Sequence, residues 1–497
     1  MSARTLTAMI EDAFDRSPTR PFLASPGGGR TTYAEARDRA AQLARVLADH
    51  GVGPGDRVAV QVEKSPQSVF LYLACLRAGA VFVPVNTAYT EPEVDYLLGD
   101  VEPSLVVRDP LRPPLDRELP TLTLDERGGG SLAEAAAGEA VDFEAAAPGP
   151  DDPAAILYTS GTTGRPKGAV LSQANLRSNA EGLCETWQFD AGDVLLHALP
   201  LFHTHGLFVA TNCVLASHAS LILLPRFEVG DVLEHLGESS VFMGIPTFYT
   251  RLLADPRLDR SLCRGVRLFT SGSAPLPASV HTEFRARTGH AIVERYGLTE
   301  TSILTSNPVG RERPGTVGLP LPGVDLRVVE QEPPTGEQSP GSIEVRGPNV
   351  FGGYWRRPDA TRTEFTPDGY FRTGDLGTVD AEGYLTIVGR SKDLIITGGY
   401  NVYPKEVEDV LGALEGVAES AVVGVPDGDL GERVVAVVVA RPGAAVNEER
   451  VRAGARRTLA GYKVPKSVHF VDSLPRNAMG KVEKARIRDG LAEGQRA

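Results

Sequence analysis

Residues 154–168 read AAILYTSGTTGRPKG, an apolar run that opens into eleven residues, 158–168, built mainly of Thr, Ser and Gly around Lys167. Ala154, Ala155, Ile156 and Leu157 predict a buried strand. The segment leaving it offers the hydroxyls of Thr159, Ser160, Thr162 and Thr163, unhindered backbone N–H groups at Gly161 and Gly164, and the Lys167 ammonium. Those are the parts of a phosphate cradle. The spacing is not that of a Walker A loop, which needs Gly, four residues and then Gly-Lys-Ser/Thr. Here Gly161, Gly164 and Gly168 recur and Lys167 precedes a glycine, so a P-loop kinase is disfavoured. The competing reading is a plain Gly/Thr surface turn, and the length of the run favours the cradle.

Outward from this stretch, strands and helices alternate. Thr31 or Thr32 can cap a helix on which Ala40, Leu43 and Leu47 share a face, with Gly51 and Gly53 as stop signals. A strand at 57–62, a helix over 65–78 and an apolar strand at 81–85 follow, and this order predicts a mostly parallel, layered sheet. Residues 128–150, rich in Gly, Ala and acidic side chains without a clear period, read as a surface excursion. Beyond the loop, 194–201, 219–224 and 241–245 predict buried strands with helical stretches between them. No repeat at solenoid spacing is evident.

Near Gly389 the pattern changes. Strand-like 383–388 ends in a short polar joint, Gly389, Arg390, Ser391 and Lys392, after which apolar 393–397 runs into Gly398-Gly399. Residues 405–414 put Val407, Val410, Leu411 and Leu414 on one helical face. Strands over 418–425 and 434–440 and a helix capped near Asn447 complete a small α+β unit. The expected division is residues 1–389, a hinge at 390–392, and 393–497.

With 497 residues, 42% apolar and 23% charged, the chain is an ordinary globular protein of two to four domains. A net charge of −13 argues against nucleic acid or an anionic membrane as partner, so a phosphate or carboxylate ligand has to be held by local cations. Cys75, Cys184, Cys213 and Cys263 stand far apart, which suggests neither a disulfide framework nor a metal cluster and fits a reducing cytoplasm. No window reaches the roughly 18 apolar residues of a membrane span. Nothing in the chain speaks to oligomeric state.

The run 158–168 resembles the signature of the adenylate-forming superfamily: acyl-CoA and aryl-CoA synthetases, luciferases and peptide-synthetase adenylation domains. The resemblance extends over essentially the full length, through SGSAP at 271–275, RYGLTE at 295–300, RTGD at 372–375, ITGGYNVYPKE at 396–406 and LPRNAMGKV at 474–482. It implies an α/β fold: a large N-terminal layered α/β domain with a small mobile α+β C-terminal domain. It also implies a nucleotide site. Thr159, Ser160, Gly161, Thr162, Thr163, Gly164 and Lys167 would take the phosphates. Ser273, Ala274, Pro275, Tyr296, Gly297 and Thr299 would bind the nucleotide, the 271–275 loop lining the adenine pocket and the Tyr296 ring serving as stacking platform. Asp375 would accept the ribose hydroxyls, Arg390 would contact ribose or phosphate, and Glu300 would hold Mg2+ beside the triphosphate.

The same resemblance implies two half-reactions. A carboxylate attacks the α-phosphorus of ATP and releases pyrophosphate, with Lys481 as the cation that stabilises the transition state. The thiol of CoA then displaces AMP. Between the steps the small domain would turn at Lys392, withdraw Lys481 and bring Gly398 and Gly399 to the pantetheine channel. Arg456, Arg457, Lys463 and Lys466 could meet the CoA phosphates or form a solvated face.

The acid is addressed by His203, Thr204, His205 and Gly206, and by Arg295 beside the expected adenine platform. Two histidines two residues apart without a Cys or third His nearby do not make a metal site. Arg295 could serve a structural ion pair near Glu294. A buried cation needs an anionic partner, however, and a substrate that keeps a free carboxylate would supply one, with Arg295 bidentate and His205 helping. Lys481 and His205 are therefore the catalytic candidates, and the expected acid is a short dicarboxylate, malonate or methylmalonate. A longer or aromatic monocarboxylate, a carrier-protein adenylation domain and a non-catalytic nucleotide sensor are the rival readings. The sensor reading is opposed by the joint presence of Lys481, Glu300 and Asp375.

Overall fold

The computed structural model describes residues 5–159, 166–330, 340–477 and 481–493. Two sheets with parallel centres form the scaffold. In one, Ile292–Leu298, Leu268–Ser271, Val241–Gly244, Val194–His197 and Ser220–Leu223 are successive parallel neighbours, and Ser302–Ser306 joins the Ile292–Leu298 edge antiparallel. In the other, Pro153–Thr159, Val81–Pro84, Arg57–Gln61 and Leu105–Arg108 run parallel, and Lys167–Ser172 folds back against Pro153–Thr159. A third, antiparallel sheet holds Asp325–Glu330, Gly341–Arg346, Phe371–Val379 and Leu385–Arg390.

Local chemistry explains the helices that fill the space between the first two sheets. Tyr33–Asp49 begins at a capping box in which the Thr32 hydroxyl accepts the Glu35 N–H and the Glu35 carboxylate accepts the Thr32 N–H at 2.7 Å. Its Ala40, Leu43 and Leu47 are buried against the core, as the helical spacing predicts. Pro66–Arg77 is buried along nearly its whole length and apolar all round, as an interior helix must be. Its Tyr72 meets Phe82 of one sheet on one side and Phe208 on the other.

The small α+β unit has its own apolar core, running from Ile395 and Val402 through Val407, Leu411, Val422 and Val438 to Val468. The large core ends at Leu385, so the polar residues around Arg390 lie where the two cores part. Asn447 caps Glu448–Arg456, accepting the Arg450 N–H at 2.9 Å. The four cysteines are free thiols. Among the described residues no helix is long and apolar enough to cross a membrane.

One expected strand is shorter than the apolar run 194–201 suggested. It ends at His197; after Pro200, which cannot donate to a ladder, the chain turns and winds into a π-helical segment, His205–Thr211. The excursion 128–150 likewise contains one short helix, Ser131–Ala136. The sequence-predicted residues around 159, 203–205, 271–275 and 296 all follow or end parallel strands. They therefore gather at the carboxyl edge of the sheets, where open α/β folds form crevices.

Candidate active site

The cradle hangs from a hairpin. Thr159 pairs with Lys167 and Tyr158 with Gly168, so the chain leaves one strand at the cradle and returns as the next. Residues 160–165, which include Ser160, Gly161, Thr162, Thr163 and Gly164, lie outside the described residues. Lys167 Nζ stands 3.3 Å from Glu364 Oε1 and 4.4 Å from the centre of the Tyr354 ring. The Tyr354 hydroxyl donates to Glu300 Oε1 at 2.9 Å, so one tyrosine touches both the cradle lysine and the expected metal carboxylate. Burial pushes the Glu300 carboxyl up, and the Tyr354 bond pulls it back.

On the expected ribose side, the Tyr296 hydroxyl donates to Asp375 Oδ2 at 2.5 Å and Arg390 Nε to Asp375 Oδ1 at 2.8 Å. Asp375 and Arg390 are register partners on adjacent strands, which fixes that second contact. Thr299 and Glu300 occupy the turn after Ile292–Leu298, and the SGSAP loop leaves Leu268–Ser271 with Ser273 at φ +69°, a left-handed conformation of the kind that collects at functional loops. Lys481 arrives from the small unit, its N–H bonded to Asn477 Oδ1 at 3.0 Å. The residue as a whole is exposed. Its ammonium is nonetheless hemmed in, and desolvation with Arg390 alongside lowers it to about 8 against the pull of Asp375.

Arg295 supplies the sharpest electrostatic feature. Successive strand residues point to opposite faces. Glu294 accordingly turns away, accepting the Gly315 N–H at 2.9 Å, with the charge of Lys405 of the small unit acting on it. Arg295 turns inward and is only 5% exposed. Its Nε and Nη2 have no hydrogen-bond partner, and no carboxylate of the described residues forms an ion pair with it. The guanidinium lies against Gly272, where a Cβ would come within 2.5 Å of Arg295 Cζ. Burial lowers this guanidinium to about 9.

The side chains around it are neutral bases. His205 is 1% exposed with both ring nitrogens unpartnered, and the hydroxyls of Thr204 and Ser271 are orphaned too. The His203 Nδ1 accepts the His205 N–H at 3.3 Å. Burial and the charge of Arg295 depress His203 to about 4 and hold His205 well below the ordinary histidine value. An unpaired buried cation and a set of orphaned donors are costly in an apo protein and fit an absent anion.

No group of three or more His, Cys, Asp or Glu among the described residues could hold a metal. A single partly buried carboxylate, Glu300, with one oxygen held by Tyr354, does fit Mg2+, which binds through one or two carboxylates plus substrate phosphates. Lys392 is exposed in the one-turn helix Ser391–Asp393. Gly398 and Gly399 form the exposed two-residue turn between Ile395–Thr397 and Tyr400–Val402, at φ +56° and +82°. A turn of that type demands glycine by itself.

Sequence reading missed Tyr354 and a buried pair, Lys64 and His197, hydrogen-bonded at 2.8 Å. The only local sign of the pair was a lysine between an apolar strand and a helix cap.

Comparison with known proteins gives this geometry a context. The model of the AMP-binding enzyme family matches residues 10–355, and that of the AMP-binding enzyme C-terminal domain matches residues 406–481. A feruloyl-CoA synthase from Amycolatopsis sp is 39% identical over 93% of this chain and 94% of its own. The mitochondrial malonate–CoA ligase of Mus musculus is 36% identical over 94% of this chain and 88% of its own. Among solved structures, ATP-bound MatB from Rhodopseudomonas palustris superposes with a TM-score of 0.94 at 49% identity, covering 99% of both chains.

Two stability measurements test the electrostatics. Replacing the uncompensated cation, Arg295→Met, is expected to stabilise the ligand-free protein by about 1–2 kcal/mol, read as a higher urea midpoint; a lower midpoint would mean that the guanidinium is paired. Burial raises the Glu294 carboxyl to about 7. A raised acid binds more protons folded than unfolded between about pH 4.5 and 7, so its contribution to stability falls as pH rises through that window. Glu294→Gln is therefore expected to raise the melting temperature at pH 8 and to leave it unchanged near pH 4.

Proposed function

Since the chain belongs to the AMP-binding enzyme family and is an acyl-CoA ligase of the adenylate-forming type, we propose that it activates a short dicarboxylic acid. Malonate is the proposed substrate, with methylmalonate accepted as well because one methyl changes affinity little in such a pocket. The acid is converted to its adenylate and passed to CoA. The supporting observation is the Arg295 guanidinium, buried without a counter-ion among the described residues and beside the unpartnered ring of His205. The reacting carboxylate of any acid must reach the α-phosphorus of ATP. The rest of a fatty acid is then hydrocarbon, and that of a hydroxyaryl acid carries only neutral oxygens, so neither would offset the charge of Arg295, whereas a second carboxylate accepts its paired N–H groups. Likeness to a feruloyl-CoA synthase is the argument for an aryl monocarboxylate. The lone cation opposes it.

In this reading Lys167 and the cradle hydroxyls hold the phosphates, and the face of Tyr296 carries adenine. The Asp375 oxygens, already aimed by Tyr296 and Arg390, accept the ribose hydroxyls. Glu300, held by Tyr354, would bind Mg2+, which when bound would offset the phosphate charge. Lys481 places its cation beside the α-phosphate, where the attacking carboxylate and departing pyrophosphate both add negative charge. Loss of pyrophosphate leaves the acyl adenylate. The small domain then turns at 390–392, with Lys392 in the joint, and carries Gly398 and Gly399 to the thiol channel. The CoA sulfur attacks the acyl carbon and AMP departs. Arg456, Arg457, Lys463 and Lys466 are the basic residues of the small domain that could meet the CoA phosphates, and Lys463 would first have to leave Glu406, 2.6 Å away.

The test is CoA-dependent AMP release across C2 to C6 mono- and dicarboxylic acids together with octanoate and coumarate. Malonate is expected to lead; turnover of coumarate or octanoate without malonate removes the dicarboxylate reading. Arg295→Met is expected to lower kcat/KM for malonate by about 100-fold, or about 2.7 kcal/mol. Unchanged malonate kinetics take Arg295 out of the site. For Lys481, loss of the proton above about 8 should cut kcat/KM for ATP in the adenylation half-reaction, with no such alkaline limb in thioester formation from supplied acyl adenylate. Lys481→Ala should reduce malonate-dependent ATP–pyrophosphate exchange by at least about 100-fold and largely spare the second step. Equal damage to both half-reactions contradicts the assignment.

A further inference from the structure

A buried amine lies where the Arg295 pocket meets the core. Lys64 follows the strand Arg57–Gln61 and stands directly before Ser65, the cap of Pro66–Arg77. It is 8% exposed and forms no ion pair among the described residues; its Nζ lies 2.8 Å from His197 Nδ1 and 2.8 Å from the His197 carbonyl oxygen. Across the ring, His197 Nε2 is 2.7 Å from the Gly206 carbonyl oxygen. A carbonyl only accepts, so Nε2 carries the proton, Nδ1 of the neutral ring is bare, and Lys64 is its donor. A neutral amine has two N–H groups, and two acceptors face it. Burial favours the uncharged form of both residues.

The Gly206 carbonyl at the end of this relay also accepts from the Thr211 hydroxyl at 3.3 Å and belongs to the first turn of the π-helical segment His205–Thr211. Such turns are rare overall and frequent at functional sites. On its other side Gly206 is pressed against Pro200, whose carbonyl oxygen a Cβ would overlap. The neighbouring residue is His205, the side chain whose unpartnered nitrogens share the pocket with Arg295. Neither Lys64 nor His197 is an electrostatic neighbour of Lys481, Glu300 or Glu294.

We propose that Lys64 and His197 are a positioning pair for the acid pocket: two hydrogen bonds, from Lys64 through the His197 ring to the Gly206 carbonyl, fix the π-helical turn that aims His205, and so set acid affinity without touching the nucleotide. The identity of the acid rests on the dicarboxylate reading; the action of the pair on the pocket does not. Removing the amine orphans the buried Nδ1, frees the ring to rotate and releases the carbonyl that holds the turn.

Lys64→Met tests this in the full-length enzyme, with each substrate varied in turn. KM for malonate is expected to rise at least about 10-fold while KM for ATP stays within about twofold. His197→Leu should reproduce that loss. His197→Gln, which keeps an N–H for Gly206 and an acceptor for Lys64, should recover most of it, and the double variant Lys64→Met/His197→Leu should be no worse than His197→Leu alone. An unchanged malonate KM in Lys64→Met, or equal increases for malonate and ATP, overturns the proposal. Should Lys64→Met fail to fold, the His197 variants decide, because equal damage from Leu and Gln also overturns it. If the wild-type enzyme uses no dicarboxylate, that reading falls by itself and the pair is judged by the same KM split on the acid that is turned over.

Discussion

A guanidinium folded into a protein wall without an anion to meet it is the constraint to which the other features of the site answer. Arg295 costs stability in the ligand-free state, since burial removes water from the charge and the described residues return no ion pair. Every neighbour is consistent with leaving that charge available. Gly272 contributes only backbone on the face where a Cβ would collide. The histidines beside it are held neutral by burial and by Arg295 itself, so they do not add repulsive charge until an anion arrives. Across a chain of net charge −13, this is a local positive well in a repulsive field.

One strand distributes the work. In Ile292–Leu298, three consecutive residues face three different partners: Glu294 accepts from Gly315 and feels the charge of the small unit's Lys405, Arg295 faces the pocket, and Tyr296 joins Asp375 and, through it, Arg390. Strand alternation separates Glu294 from Arg295, which is why two opposite charges adjacent in sequence do not neutralise each other. An ion pair between them would have cancelled the anion requirement. Here the two side chains leave opposite faces of the strand, and no such pair forms.

Much of this was legible in the sequence because its signals are local. The Thr32 capping box, the interior helix after Ser65, the strand at the cradle and the break between the two cores each rest on residues a few positions apart. The strand expected over 194–201 ran too long because an apolar run does not reveal whether its backbone stays extended, and Pro200 was the clue that it does not. Tyr354 with Glu300, and Lys64 with His197, were invisible for a different reason. They join residues 54 and 133 positions apart, and a lysine becomes a core residue only when the fold seals it in. The sequence offered a bare Lys beside a Ser-Pro cap, a pattern that is usually solvated.

The two kinds of buried base also differ in what they can do. Arg295 remains charged even when burial lowers it to about 9, so it is a permanent demand for an anion. Lys64 and His197, whose uncharged forms burial favours, direct their N–H groups at fixed acceptors, the His197 and Gly206 carbonyls. A site that must recognise a small charged acid needs both properties: a charge that only the ligand can satisfy, and a frame rigid enough that water or a misplaced side chain does not satisfy it first. Aiming the frame's donors at fixed acceptors keeps the frame from competing for the same anion. The division between an unpaired charge and a brace whose hydrogen bonds are already made therefore follows from the geometry, whatever acid the enzyme selects.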